Sequence, residues 1–175
     1  MKTLTCCLMP FATLALWLPL AALQEPHQTS RTEAAHHIFL EQEREALEQG
    51  QGFGMALAAD RQGYPGPKHI LELRQELELT PAQEQQVRAL FERMHARAVA
   101  EGKSVLAKEA ELERAFASGA PDEAALRRLL ADIATARAEL RWIHLSAHLE
   151  ARGLLTPAQR ARYQALRYGS GSHTH

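Results

Sequence analysis

The sequence predicts an all-α chain: an antiparallel, hairpin-like four-helix fold with two long central helices. Three observations predict it. No stretch alternates at period two with β-branched residues, so no strand is expected. Apolar residues recur at spacings of three, four and seven along two long runs. Five residues also occur twice. Leu79-Thr80-Pro81-Ala82-Gln83 returns as Leu155-Thr156-Pro157-Ala158-Gln159, each time just ahead of a helical stretch. Thr is a good N-cap, Pro suits the first helical position, and Gln three residues after Thr completes a capping box. The repeat therefore marks two helix starts.

The elements follow in order. Residues 1–23 have the layout of a cleaved secretory signal peptide: Met1-Lys2, an apolar run from Leu4 to Leu20, then Ala21 and Ala22. The run is short for a membrane span and carries Pro10 and Pro19. Residues 24–62 form an N-terminal extension, with a weak helix over Glu33 to Gln49 and then a glycine-rich loop. Gly50 to Pro67 holds five glycines and two prolines and reads as loop throughout. Gly50-Gln51-Gly52-Phe53-Gly54 is not a phosphate loop, because no strand precedes it and no Lys-Ser/Thr follows.

The helical domain proper spans 63–168. A rigid turn, Gly63-Tyr64-Pro65-Gly66-Pro67, delivers a first short helix over Lys68 to Glu78. The second helix starts at Pro81, carries a seam through Val87, Leu90, Phe91, Met94, Ala98, Val105, Leu112 and Phe116, and ends at Ser118-Gly119. The third opens near Pro121 with Asp122 and Glu123 in its first turn, where the helix dipole favours acids. Its seam runs through Leu126, Leu130, Ile133, Leu140 and Ala147, and Gly153 is the expected stop. The fourth runs from the second repeat to about Arg167, and 169–175 is expected to be a flexible tail. The two central helices should span roughly 57 and 48 Å. A hairpin that long has a thin, one-sided core, which predicts a homodimer or a bound partner covering the leftover apolar face.

Composition removes several function classes. Cys6 and Cys7 leave with the signal peptide, so the exported chain has no disulfide, thiol nucleophile or Cys-based zinc site. It then carries 19 Lys and Arg, once Lys2 has gone, against 21 Asp and Glu, which gives no electrostatic reason to bind nucleic acid. No Ser-His-acid arrangement or phosphate loop is present, and the acids lie on solvated helix faces, so no enzyme is expected.

His144 and His148 are the sharpest candidate pair. At i and i+4 on a helix, both imidazoles face one side, within reach of one metal ion. Leu145 follows His144, so this is not the zincin arrangement with its general-base Glu. His36-His37 is a poor chelate, since adjacent helical side chains diverge by about 100°. His173 and His175 sit at the end of the tail, with no fixed geometry.

The doubled motif in an exported, cysteine-free helical chain resembles the Spy/CpxP family of periplasmic proteins, and the related periplasmic heavy-metal sensor and resistance proteins. The resemblance covers about residues 63–168. It makes Leu79, Thr80, Gln83, Leu155, Thr156 and Gln159 the family motif residues. It implies a thin, curved antiparallel homodimer in the periplasm. Some members hold unfolded or aggregating envelope proteins without ATP; others bind metal ions or restrain a membrane stress sensor. On the metal-sensing pattern, His69 matches the first-helix ligand and His144 with His148 the late third-helix ligands. Leu73 stands where relatives use a second first-helix histidine, so Glu72, Met94, His95 or water would complete the shell. No cofactor is required; a divalent or copper ion is the one implied, and Met94 would suit Cu(I). The implied functions are thus an ATP-independent periplasmic chaperone or stress-response protein, or a metal-binding sensor or resistance protein. A structural dimerisation module of the envelope is the third alternative.

Overall fold

The computed structural model describes residues 27–169, with side chains from residue 36 onward. The expected signal peptide and the tail histidines His173 and His175 lie outside the described residues. Six helices and no strand occur among those described: α1 His27–Glu48, α2 Leu57–Arg61, α3 Pro67–Glu72, α4 Pro81–Ala117, α5 Glu123–Leu154 and α6 Pro157–Tyr168. None is long and apolar enough to cross a membrane. The all-α fold with two long central helices is as the sequence predicts. Helices α4 and α5, of 37 and 32 residues, form the antiparallel hairpin.

Both repeat motifs begin helices as expected. Thr80 and Thr156 hold extended backbone, and each side chain accepts the amide of its own Gln83 or Gln159 at 3.2 Å. Each Gln returns a bond to its Thr amide at 3.0 Å, closing both capping boxes. Asp122 caps α5 in place of the Pro121 start, accepting the Ala125 amide at 2.7 Å.

Four boundaries differ from expectation. Gly153 does not stop α5; the helix runs on to Leu154. It stops there because Pro157 holds Thr156 extended, and Leu155 before it is extended as well. The first short helix is regular only over Pro67–Glu72, then continues as turns to Glu78, which adopts φ +52. Within the expected loop, Ala-Leu-Ala-Ala supplies enough helix-forming residues for the single turn of α2. Helix α1 begins earlier than Glu33, at His27.

The extension is docked on the hairpin. A Cβ on Gly102 would stand 2.0 Å from the Leu47 carbonyl oxygen, so only glycine lets α1 and α4 approach this closely. Arg137 of α5 reaches Glu43 of α1 at 2.7 Å and Glu109 of α4 at 2.8 Å, tying three helices together.

Two buried clusters form the core. One, at the base of the hairpin, joins Ile70, Leu77, Val87, Leu90, Ala147, Ala151, Leu155 and Tyr163. The other joins Leu47, Ala98, Val105, Ala136, Leu140 and Ile143. Met94 packs against both. The seams do not stay buried to the hairpin tip: Phe116 is 59% exposed and Leu130 52%. Only two helices meet there, and two helices cannot enclose a full seam.

Candidate functional site

The two motifs meet each other at the base of the hairpin. Gln83 Nε2 donates to Gln159 Oε1 at 2.9 Å, and Gln159 Nε2 donates to Gln83 Oε1 at 3.1 Å. Each amide donates its second proton to a backbone carbonyl next to the other motif: Gln83 to Leu154 at 2.9 Å, Gln159 to Leu77 at 3.2 Å. Each Oε1 also accepts the amide of its own N-cap Thr. Both side-chain amides are thereby satisfied, and each cap is built into the other. Leu155 is buried beneath this clasp and Leu79 packs against the same cluster. The motif residues do structural work; none carries a reactive group.

Between the extension and the hairpin lies an open cleft of about 820 Å³. One wall comes from the extension, at Glu48 to Gly54 and at Ala56, Leu57 and Asp60 of the α2 region. The facing wall comes from α3, α4 and α5. It brings His69, His144 and His148 into one place, together with Met94 and His95. Their situations differ.

His148 is 8% exposed. Its Nδ1 lies 2.7 Å from the Tyr64 carbonyl oxygen, so Nδ1 carries the proton and Nε2 keeps a lone pair when the ring is neutral. A Cβ on Gly66 would sit 2.8 Å from that Nε2, so glycine here makes room for the imidazole. His144 is 4% exposed, and its Nε2 has no hydrogen-bond partner. Leaving a buried polar atom unsatisfied costs about 1–3 kcal/mol. Burial holds the His144 imidazole below its ordinary pKa, with the neighbouring His148 and His95 adding to the effect.

His69 is engaged elsewhere. Its Nδ1 lies 3.4 Å from the Tyr163 hydroxyl and 3.8 Å from Asp60 Oδ2, and Arg167 approaches its Nε2 at 3.5 Å. Burial lowers its pKa, Arg167 lowers it further, and Asp60 and Glu72 oppose both. Among the described residues, no group of three or more His, Cys, Asp or Glu side chains is placed to hold a metal ion. His144 and His148 line the cleft together, with Met94. His95 is exposed and stacks on Phe91, ring centroids 5.6 Å apart and planes 16° apart. His36 and His37 are exposed on α1.

The sequence reading missed the polar network around Asp60. This carboxylate is 3% exposed. It accepts the Tyr163 hydroxyl at 2.6 Å and the Tyr168 hydroxyl on its other oxygen, and Arg167 stands 3.5 Å away. Burial alone would raise its pKa, but the two hydroxyls, His69 and Arg167 together hold it below the usual carboxylate range. Burial and Asp60 push the Tyr163 phenol well above its ordinary value. The network fastens α2 to α6. A lone Asp in a five-residue helix has no periodicity that could have marked it.

A model of the LTXXQ motif family matches residues 66–167. No curated protein and no solved structure matches the chain. The wall of the cleft contributed by Glu48 to Asp60 therefore lies outside the matched region.

Proposed function

The chain belongs to the LTXXQ motif family, and from that premise we propose a periplasmic, ATP-independent chaperone or stress-response protein of the Spy/CpxP type, acting as a homodimer. The family's usual location and its generally non-enzymatic character support the setting. The single observation that carries the reading is the outer face of α5. Ala134, Ala138, Trp142, Leu145 and Leu149 recur at helical spacing along it, with Leu130 at its edge. Trp142 and Leu149 are 51% and 52% exposed. Arg141 lies beside the stripe, as does Arg127, which is paired with Glu123 at 2.8 Å. An apolar stripe among cations suits non-native segments of envelope proteins, and it suits a second copy at one end of the same surface.

The experiment is aggregation of a denatured client followed with the exported form of the protein and no nucleotide. Substoichiometric protein is expected to slow it, and Trp142→Ser with Leu149→Ser to weaken the effect several-fold without lowering the thermal midpoint. No effect at several-fold excess would sink the reading. Sedimentation at micromolar concentration is expected to give about twice the chain mass.

A second reading, a metal-binding sensor or resistance protein, is favoured by one observation: the unpartnered Nε2 of His144 beside an Nε2 of His148 left free by its bond to Tyr64. A ligating histidine commonly donates its other nitrogen to a carbonyl in this way. Here His144 and His148 would ligate a divalent or copper ion, with Met94 or a moved His69 completing the shell. Calorimetric titration with copper, zinc and nickel tests it. Tight binding is expected to vanish in His144→Ala or His148→Ala and to weaken on acidification, since a ligating imidazole must be neutral. Binding that survives both changes would contradict it.

A further inference from the structure

The cleft is larger than two imidazoles require, and most of its wall is apolar. At about 820 Å³ it falls in the range of sites that take organic groups. Phe53, Leu57, Phe91, Met94 and Val99 line it. Phe91, stacked on His95, forms a flat aromatic shelf on one side. Fixed charge is balanced: Lys68, Arg167, Glu48 and Asp60 all line it, and both Asp60 oxygens are already bonded to tyrosine hydroxyls. At the histidine end, one acceptor stands without a donor. The Nε2 of His148 is an acceptor once its Nδ1 proton is committed to Tyr64, and the Nε2 of His144 has no partner. A carboxylate brings no donor to His148 Nε2, and an aliphatic side chain leaves that nitrogen unanswered. A flat uncharged ring carrying one O–H meets every requirement.

We propose that this cleft takes single tyrosine side chains from non-native protein segments, the ring lying against its apolar wall and the phenol donating to His148 Nε2. The proposal rests on the client-holding reading and gives it a side-chain preference. The outer face of α5 supplies broad apolar contact, and the cleft supplies an anchor. The extension's share of the wall, Phe53 and Leu57, lies outside the family match, whereas Phe91 and the two histidines lie within it.

The test compares three capped peptides, Gly-Ser-X-Ser-Gly, with X as tyrosine, phenylalanine or O-methyltyrosine. Each is titrated into the exported protein by NMR, with a chelator present to keep metal off the imidazoles. One added hydrogen bond predicts about three- to tenfold tighter binding for the tyrosine peptide than for either of the others. The His144 and His148 ring resonances are expected to move with it. In a His144→Leu, His148→Leu variant the ratio should fall to near one while the phenylalanine peptide binds as before. Equal affinities on the unmodified protein would overturn the proposal, as would a ratio that persists in the double variant. Should that variant not fold, the unmodified protein decides: a tyrosine preference without movement of the two imidazole resonances also overturns it. Failure here leaves client holding to the aggregation assay, which fails or succeeds independently.

Discussion

The two ends of the α4–α5 hairpin are built on different terms. At the base, four helices converge, and α3, the starts of α4 and α6 and the end of α5 enclose Ile70, Val87 and Tyr163 completely. Two capping boxes interlock there through Gln83 and Gln159. At the tip only α4 and α5 remain, and Phe116 and Leu130 stand in the open despite lying on the apolar seams. The same periodicity is thus core at one end and surface at the other. Periodicity says which face of a helix is apolar; the number of neighbours decides whether that face is buried.

The sharpest way to break the comparison is to truncate matched side chains at the two ends. Ile70→Ala should cost about 2–5 kcal/mol, as expected for a large side chain lost from a closed core. Leu130→Ala should stay within about 0.5 kcal/mol, the usual range for surface changes. Denaturant unfolding followed by circular dichroism reads both, and similar costs would show that the tip is covered in solution.

The next effect comes from the clasp. Gln83→Leu or Gln159→Leu strands partly buried carbonyls and the facing amide, at a cost of about 1–3 kcal/mol each. The double change should cost clearly less than the two singles together, because either one already breaks the mutual pair. Strict additivity in a double-mutant cycle would mean that the two motifs act separately. Smaller again are the caps alone. Thr80→Ala and Thr156→Ala should each cost roughly 1 kcal/mol, with the larger loss at Thr80, which starts the 37-residue helix. An unmoved thermal midpoint in both would refute the capping account.

The mildest effect is that of acid. His69 and His144 have folded-state pKa values below their unfolded ones, chiefly through burial. Between those values the unfolded chain binds more protons, so stability is full above about pH 6.5 and declines as pH falls below it. Thermal scans from pH 7.5 to 5.5 should show that decline, and His144→Phe should reduce it. A midpoint that rises on acidification would have the sign wrong.

How much of this was legible in the sequence depends on range. Thr80 with Gln83 and Thr156 with Gln159 are local patterns, and their caps formed as read. Their mutual clasp links residues 76 apart, and no local pattern encodes it. Asp60 escaped notice because α2 is a single turn inside a run of glycines. Gly153 misled because a glycine stop is only a preference, whereas Pro157 imposes extended backbone on the residue before it. At the cleft, the i,i+4 spacing placed His144 and His148 on one inward face. The capture of His69 by Asp60, Tyr163 and Arg167 depends on tertiary packing and could not be read.

The central claim is a division of labour: a clasped base maintains the fold, while the outer face of α5 and the neighbouring cleft hold non-native chains. Hydrogen exchange of the exported protein, alone and with a denatured client, tests it most directly. Residues 130–149 and the loop at 50–57 should gain protection with client present. The motif segments 79–83 and 155–159 should exchange slowly in both states and change little. Client protection confined to the motif segments, or none along α5, would contradict the account.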